Sequence, residues 1–543
     1  MQKLRWNPPV KKKPRNNQDF GIGDKGIGTA APFLYPYSHD CEMKMKKLSP
    51  NLVIALFAAA LAMTSCYPGV TVEPTAAPVV TTESITAPGA TTEPETETAA
   101  AAIQFTDDMG NEINLEHACQ RMIVLYSAHT ENLYSLGVGD SVIGVNSTSI
   151  YPPDAATKPV FDYDSDPEKV IAANPDCMLI RPFIDRKNPD FVAAVKKAGV
   201  TVISLYPEKF NEFDAYIQKL GLMTDTQEKA DELLKEFHQN LAAISEKTAA
   251  IEPKKTVFFE STAVNCRTVT ADSMAAQALK LAGGINLAAD AEAMTEGSSI
   301  ASYGVEKILM NADKIDVYIT QRGAMNAGDN AHSISIREGF DSVKAVRDGR
   351  ILEINEKLIS APTFRFYKGV YEIARYLYPD VMDDLESFRS DEPITRENLA
   401  AILVRFAHKP IYVTASSKYY QQEHSGHTYG LFTDVAWDDP SFDVIETAVL
   451  AGWIEGKTNQ TGEFFDKAGS VTRDDFAKAV FLLGDYERTE SHIPIADLDQ
   501  VQNPKIVQIL VDNGVFQLED GKFNPTKQLT VNEVIDLLNG LNP

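Results

Sequence analysis

The side chains able to do chemistry are few, and their spacing argues against catalysis. Five cysteines stand at Cys41, Cys66, Cys119, Cys177 and Cys266, with no pair at metal-ligand spacing and no dense framework. Cys119, Cys177 and Cys266 read as free or buried thiols. No glycine-rich phosphate loop ending in Lys-Ser/Thr occurs, and no Gly-x-Ser-x-Gly elbow. Histidines and serines form no recognisable catalytic set, so the chain reads as a non-enzyme. A receptor for bare zinc or manganese needs converging His and carboxylates. Residues 103–385 offer His117, His129, His238 and His332, and only His129, after a strand-like run, falls where a cleft would lie. Two glutamates recur in one setting: Glu168 in Asp166-Pro167-Glu168-Lys169-Val170-Ile171, and Glu306 in Gly304-Val305-Glu306-Lys307-Ile308-Leu309. Both favour a helix N-terminus.

Those glutamates belong to a repeated unit. The first helix leads through Asn174-Pro175-Asp176 into the strand-like Cys177-Met178-Leu179-Ile180, and the second through Asn311 and Asp313 into 315–319. Each copy follows a strand-helix unit, 121–137 in one half and 256–283 in the other. In the first half, 121–126 is a buried-strand run, 130–136 is helical up to Gly137, and 142–145 is the next strand. Gly283-Gly284 reads as a helix stop. Two halves built alike predict an α/β class with two lobes, and ligands of such lobes sit in the crevice between them. Between the halves, Thr224-Asp225 can cap a helix running to about Ala250. Ala230, Leu233, Leu234, Phe237, Leu241 and Ile244 recur there at helical spacing. One long connecting helix permits small rocking better than wide hinge closure.

The flanks set the compartment. Met43-Lys44-Met45-Lys46-Lys47 is basic, residues 52–63 are almost wholly apolar, and Thr64-Ser65-Cys66 follow: the layout of a signal peptide over 43–65. The apolar run is too short for a comfortable membrane span. Residues 1–42 would hinder targeting and read as a non-native extension, the true start being Met43 or Met45. Residues 66–102 are rich in Thr, Pro, Ala and Glu and form a tether unable to offset its ordering entropy. The net charge of −25 argues against nucleic acid as a partner.

The cysteine after Thr64-Ser65 resembles the bacterial lipobox, which implies a lipid on Cys66 and a membrane anchor. Residues 103–385 resemble the solute-binding proteins of ABC importers for iron-siderophores, haem and cobalamin. The likeness rests on Phe105-Thr106-Asp107-Asp108-Met109-Gly110-Asn111, Thr130-Glu131, Leu136-Gly137, Gly144-Val145, Tyr151-Pro152-Pro153, Pro175-Asp176, Ala282-Gly283-Gly284-Ile285-Asn286, Ala345-Val346-Arg347-Asp348-Gly349-Arg350 and Ala361-Pro362. It implies two Rossmann-like lobes, 103–223 and 251–385, joined by the helix 224–250. It implies an ABC permease and its ATPase as partners, with Glu168 and Glu306 docking on permease arginines. It implies no resident cofactor; the ligand would be a metal chelate, that is an iron-siderophore, haem or a corrinoid. The loops that carry the family's cleft residues hold Tyr151, Tyr163, Arg181, Phe183, Arg267, Arg322, Arg365 and Phe366 here. Aromatic faces suit a ring-shaped or catecholate ligand, and arginines suit anionic groups. The body has no tryptophan, which departs from the cobalamin-binding members.

Residues 386–543 follow another pattern, a repeat of about 60 residues. Its copies carry Ile394-Thr395-Arg396-Glu397, then Val471-Thr472-Arg473-Asp474, then Leu529-Thr530-Val531-Asn532. These resemble S-layer homology repeats, a mainly α-helical module. The resemblance implies contact with an anionic secondary cell-wall polymer through Arg396 and Arg473. The location implied is the outer face of the cytoplasmic membrane, in a Gram-positive-type envelope. The competing expectation is a structural cell-surface protein whose α/β body does not transport.

Overall fold

The computed structural model describes residues 103–411, 429–460, 462–487 and 489–541. The N-terminal extension, the signal peptide, Cys66 and the stalk lie outside the described residues. Among the described residues no helix is long and apolar enough to cross a membrane.

Two four-stranded parallel sheets form the body. Across the first lie Val142–Val145, Met122–Val124, Cys177–Ile180 and Thr201–Ser204. Across the second lie Ile285–Asn286, Thr256–Glu260, Val317–Arg322 and Ile351–Asn355. Counted along the chain within each lobe, both sheets have the order 2-1-3-4. The duplication read from the Glu-Lys helices therefore extends to the topology. Helices cover both faces of such sheets, so the strands are continuously apolar rather than alternating. Cys177–Ile180 is buried at every position, and Val257, Phe258 and Phe259 are wholly buried.

The repeated helices are Pro167–Ala172 and Val305–Met310. Asp166 caps the first by accepting from the Glu168 N–H. Gly304 opens the second at φ 92°, where a side chain would be strained.

The connecting helix starts later than expected. Phe213–Thr224 is a helix of its own, ended by Asp225 in the left-handed region at φ 57°, and Gln227–Ala249 begins after Thr226. Thr224-Asp225 is thus a break and not a cap. The two helices meet tightly there, since a Cβ on Gly221 would lie 3.0 Å from the Ala230 Cβ. Ala230, Leu234, Phe237, Leu241 and Ile244 are buried, and Leu233 is half-buried. They join Val124 and Leu179 of one lobe to Phe259 and Ile319 of the other in one continuous core.

Cys119 and Cys177 are not free thiols: they form a disulfide across 58 residues. Met122 pairs with Cys177 in the sheet, which brings the preceding chain alongside. A closed loop of that length stabilises the fold by about 2–4 kcal/mol, mainly by restricting the unfolded chain. Cys266 is free and buried, and burial pushes its thiol up to about 11.

The tail has its own core. Thr395, Thr472 and Thr530 cap the helices Arg396–Phe406, Arg473–Leu483 and Val531–Gly540 through their side chains. The residues before them close a ring. Ile394 N–H donates to Leu529 (2.9 Å), Leu529 N–H to Val471 (3.1 Å) and Val471 N–H to Ile394 (3.3 Å). Equivalent residues are therefore related by a pseudo-threefold arrangement.

Candidate functional site at the strand ends

In a 2-1-3-4 sheet the chain changes direction between the first and third strands. Loops leaving their C-terminal ends diverge and open a crevice. In the first lobe those strands are Met122–Val124 and Cys177–Ile180. They deliver Tyr126 and Arg181, the residues before the helices Ser127–Ser135 and Pro182–Lys187. The Arg181 guanidinium lies 4.3 Å from the Tyr126 ring centroid and 5.6 Å from those of Phe183 and Tyr206. Tyr163 meets Phe183 edge-on at 5.8 Å. Phe183 is exposed, and the buried Nε of Arg181 has no hydrogen-bond partner. This is a cation seated among aromatic faces, suited to a flat or anionic ligand group.

Of the expected cleft residues, the structure brings Tyr163, Arg181 and Phe183 together here. Tyr126 and Tyr206 complete the group. Tyr126 closes the run 121–126 read as a strand and Tyr206 follows the buried residues 202–205, whereas the other cleft residues are reached through the family resemblance. Burial pushes the hydroxyls of both tyrosines up, with Arg181 opposing.

A second group ties the lobes to each other. Arg365 donates from Nε and Nη2 to the two Glu131 oxygens at 2.7 and 2.8 Å, and its guanidinium lies 3.6 Å from the Tyr151 ring centroid. Lys357 Nζ donates to Ser127 Oγ (2.9 Å), and Asn132 Nδ2 donates to the Pro362 carbonyl (2.8 Å). Burial lowers the Lys357 ammonium pKa, with Glu356 beside it opposing. Burial also pushes the Tyr151 hydroxyl up to about 12. Tyr151 and Arg365 thus meet each other, and their mutual contact and Glu131 already occupy them.

Arg322 is engaged within its own lobe, donating to the Asp329 carbonyl and pairing with Glu353 at 3.5 Å. Arg267 sits half-buried in a tight loop, its backbone bridged to Thr262. Phe366 is not a cleft residue. Its ring is fully buried, 5.5 Å from Phe210 and 6.2 Å from Phe237, because it points from the helix Phe366–Leu377 into the core.

His129 is no metal ligand either. It is wholly buried, and both ring nitrogens are used. Nε2 donates to the Ile180 carbonyl (3.2 Å), which leaves Nδ1 to accept from the Tyr216 hydroxyl (2.7 Å). Desolvation drives its pKa down to about 3.

Glu168 and Glu306 are exposed on their matching helices. Arg396 and Arg473 differ from the expectation of polymer-facing arginines, for both are buried. Arg396 donates to the Phe465 carbonyl (2.7 Å) and to that of Glu455, over the Phe465 ring. Arg473 donates to the Gln517 carbonyl and lies 5.2 and 5.0 Å from the rings of Phe516 and Phe523. Val531, at the same place in the third copy, is buried too.

Residues 122–358 match the family model described as periplasmic binding protein. An uncharacterised ABC transporter substrate-binding lipoprotein of Bacillus subtilis (strain 168) is 26% identical over 293 residues, covering 53% of this chain and 89% of its own length. A vitamin B12-binding protein of Vibrio cholerae is 23% identical over 260 residues, covering 48% of this chain and 89% of its own. Among solved structures, the periplasmic heme-binding protein of Roseiflexus sp. RS-1 covers 48% of this chain and 99% of its own at 20% identity, with a TM-score of 0.42. Over residues 122–358, therefore, the α/β body of this chain is similar to the periplasmic binding protein family.

Proposed function

We propose that the chain is the solute-binding component of an ABC importer, capturing a metal chelate between its lobes and presenting it to a permease and its ATPase. The observation that carries this reading is the cation-and-aromatic group of Arg181, Tyr126, Tyr163, Phe183 and Tyr206 at the switch point of the first sheet. The named relatives bind vitamin B12 and heme. An arginine among phenolic and phenyl rings accommodates a haem propionate, a catecholate ferric siderophore or the amide rim of a corrinoid.

The test is thermal unfolding of the full chain with haemin, ferric siderophores and cyanocobalamin. A ligand at 100 times its Kd adds about 2.7 kcal/mol, so the cognate chelate raises Tm by several degrees. A chain that responds to none of the panel is instead a surface spacer.

Docking of Glu168 and Glu306 on permease arginines is the second part of the reading. Paired exposed carboxylates set orientation and on-rate more than affinity. Reversing both, Glu168→Lys with Glu306→Lys, is expected to abolish uptake and leave ligand-induced stabilisation unchanged. Uptake at the wild-type rate would remove the docking role. Lipid attachment at Cys66 is part of the same reading. Attachment to an anionic wall polymer rests on the repeat resemblance alone, since Arg396 and Arg473 face inward.

A further inference from the structure

The long helix near the end of the body, Phe366–Leu377, and the residue before it carry Arg365, Lys368, Glu372 and Arg375 on one face. Such a stripe ordinarily faces water. Here the tail covers it. Arg375 is 4% exposed; it pairs with Glu372 at 3.2 Å and with Asp383. Its Nη2 also donates to the main-chain carbonyls of Val404 (3.4 Å) and Lys409 (3.3 Å). Those carbonyls lie in and just beyond the last turn of the tail helix Arg396–Phe406, where the negative pole of the helix favours a guanidinium. His408 of the tail bonds the same Asp383 at 2.9 Å. Farther along the stripe, Asp443 in the first turn of the tail helix Phe442–Leu450 interacts electrostatically with Lys368 and Arg365.

The other end of the stripe is the inter-lobe contact. Arg365 grips Glu131 with two hydrogen bonds and covers Tyr151, both in the first lobe. One stiff helix is therefore bonded to the tail near its C-terminal end and holds the rim of the first lobe at its start. Arg365 and Arg375 are separated by about 15 Å along the helix.

We propose that the tail regulates the ligand cleft: docked on the helix Phe366–Leu377, it fixes Arg365 on Glu131 and Tyr151 and clamps the lobes, and its displacement releases them. The consequence for ligand rests on the importer reading above; the mechanical coupling does not. Packed interfaces of this kind shift between discrete arrangements and do not deform smoothly, so loss of one end of the seat is transmitted to the other.

Hydrogen exchange of the full chain, read by mass spectrometry, tests the coupling without any ligand. Arg375→Ala removes the tail's anchor, and Arg365→Ala breaks the clamp directly. Both are expected to speed exchange in 127–135 and 146–157 by about tenfold, as for residues coupled through shared contacts. Faster exchange in Arg396–Phe406 of Arg375→Ala, with wild-type rates in 127–135 and 146–157, would overturn the proposal. Should Arg375→Ala unfold throughout, Asp443→Asn decides by the same two segments: faster exchange supports the clamp, and wild-type exchange overturns it. Haemin titration by absorbance adds the functional arm, in which both arginine variants shift Kd in the same direction. Absence of haemin binding by the wild-type chain counts against haem as the ligand, and the exchange result still judges the clamp.

Discussion

Phe366→Ala is expected to lower the unfolding free energy by about 3–5 kcal/mol, the range for emptying a buried aromatic site. The ring is wholly buried against Phe210 and Phe237, inside the core that runs through the connecting helix into both lobes. The site has little room to collapse. One turn on, a Cβ at Gly369 would lie 2.3 Å from the Leu358 carbonyl oxygen, so the helix cannot slide inward to fill the void. Urea unfolding of the full chain measures the loss. A cleft residue would behave in the opposite way, weakening ligand binding while leaving stability within about 0.5 kcal/mol of wild type. That second outcome would return Phe366 to the cleft.

The contrast between Phe366 and Phe183 shows what the sequence carries and what it withholds. Phe183 follows a four-residue apolar run, Cys177–Ile180, whose burial on both faces is a local signal. Arg181 and Phe183 come just after that run and so stand at the mouth of the crevice, whereas Tyr163 precedes it and is reached only through the family resemblance. Phe366 follows no strand. It opens a helix, and which face of a helix turns inward depends on what packs against it. The same reason governs Arg396 and Arg473. Each follows its capping threonine, at the first position of a helix, and the rings of Phe465 and Phe516, far along the chain, draw its aliphatic stem and guanidinium inward.

Repetition was legible where packing was not. The Glu-Lys helices revealed two lobes, and the common 2-1-3-4 order follows from that duplication. The connecting helix showed its apolar period, but its start did not show, because the break at Asp225 depends on the close contact of Gly221 with Ala230. The disulfide was equally hidden. Cys119 and Cys177 become neighbours only through the pairing of parallel strands, and parallel pairing leaves no mark at the cysteines themselves.

The second large effect lies in the other lobe. Arg337→Met is expected to cost about 3–5 kcal/mol near neutral pH, the range for stripping one partner from a buried ion pair. Glu260, the last residue of Thr256–Glu260, has no exposed side-chain surface. Its carboxylate accepts from Arg337 at 2.6 and 2.9 Å and from the Tyr318 hydroxyl at 2.6 Å. Asp329 pairs with the same guanidinium. Burial raises the Glu260 pKa above the usual carboxylate range, and Arg337 opposes that rise. Asp329 is held below the usual range: burial acts against this, but bonds with Glu260, Ser333 and Arg337 prevail. Without Arg337 the Glu260 pKa climbs further. A folded-state pKa above the unfolded one means that ionising Glu260 costs stability. The cost is absent below the unfolded value of about 4.3 and grows as pH rises through the folded value. Asp329 works in the reverse sense, its contribution being present above its unfolded pKa and lost as pH falls. For Glu260 the variant's deficit is therefore larger at pH 8 than at pH 5, where the carboxyl takes up a proton. Urea unfolding at both pH values measures the difference. An equal deficit at the two would mean that Glu260 does not hold a buried charge, and that the network is held by packing around Tyr318 instead.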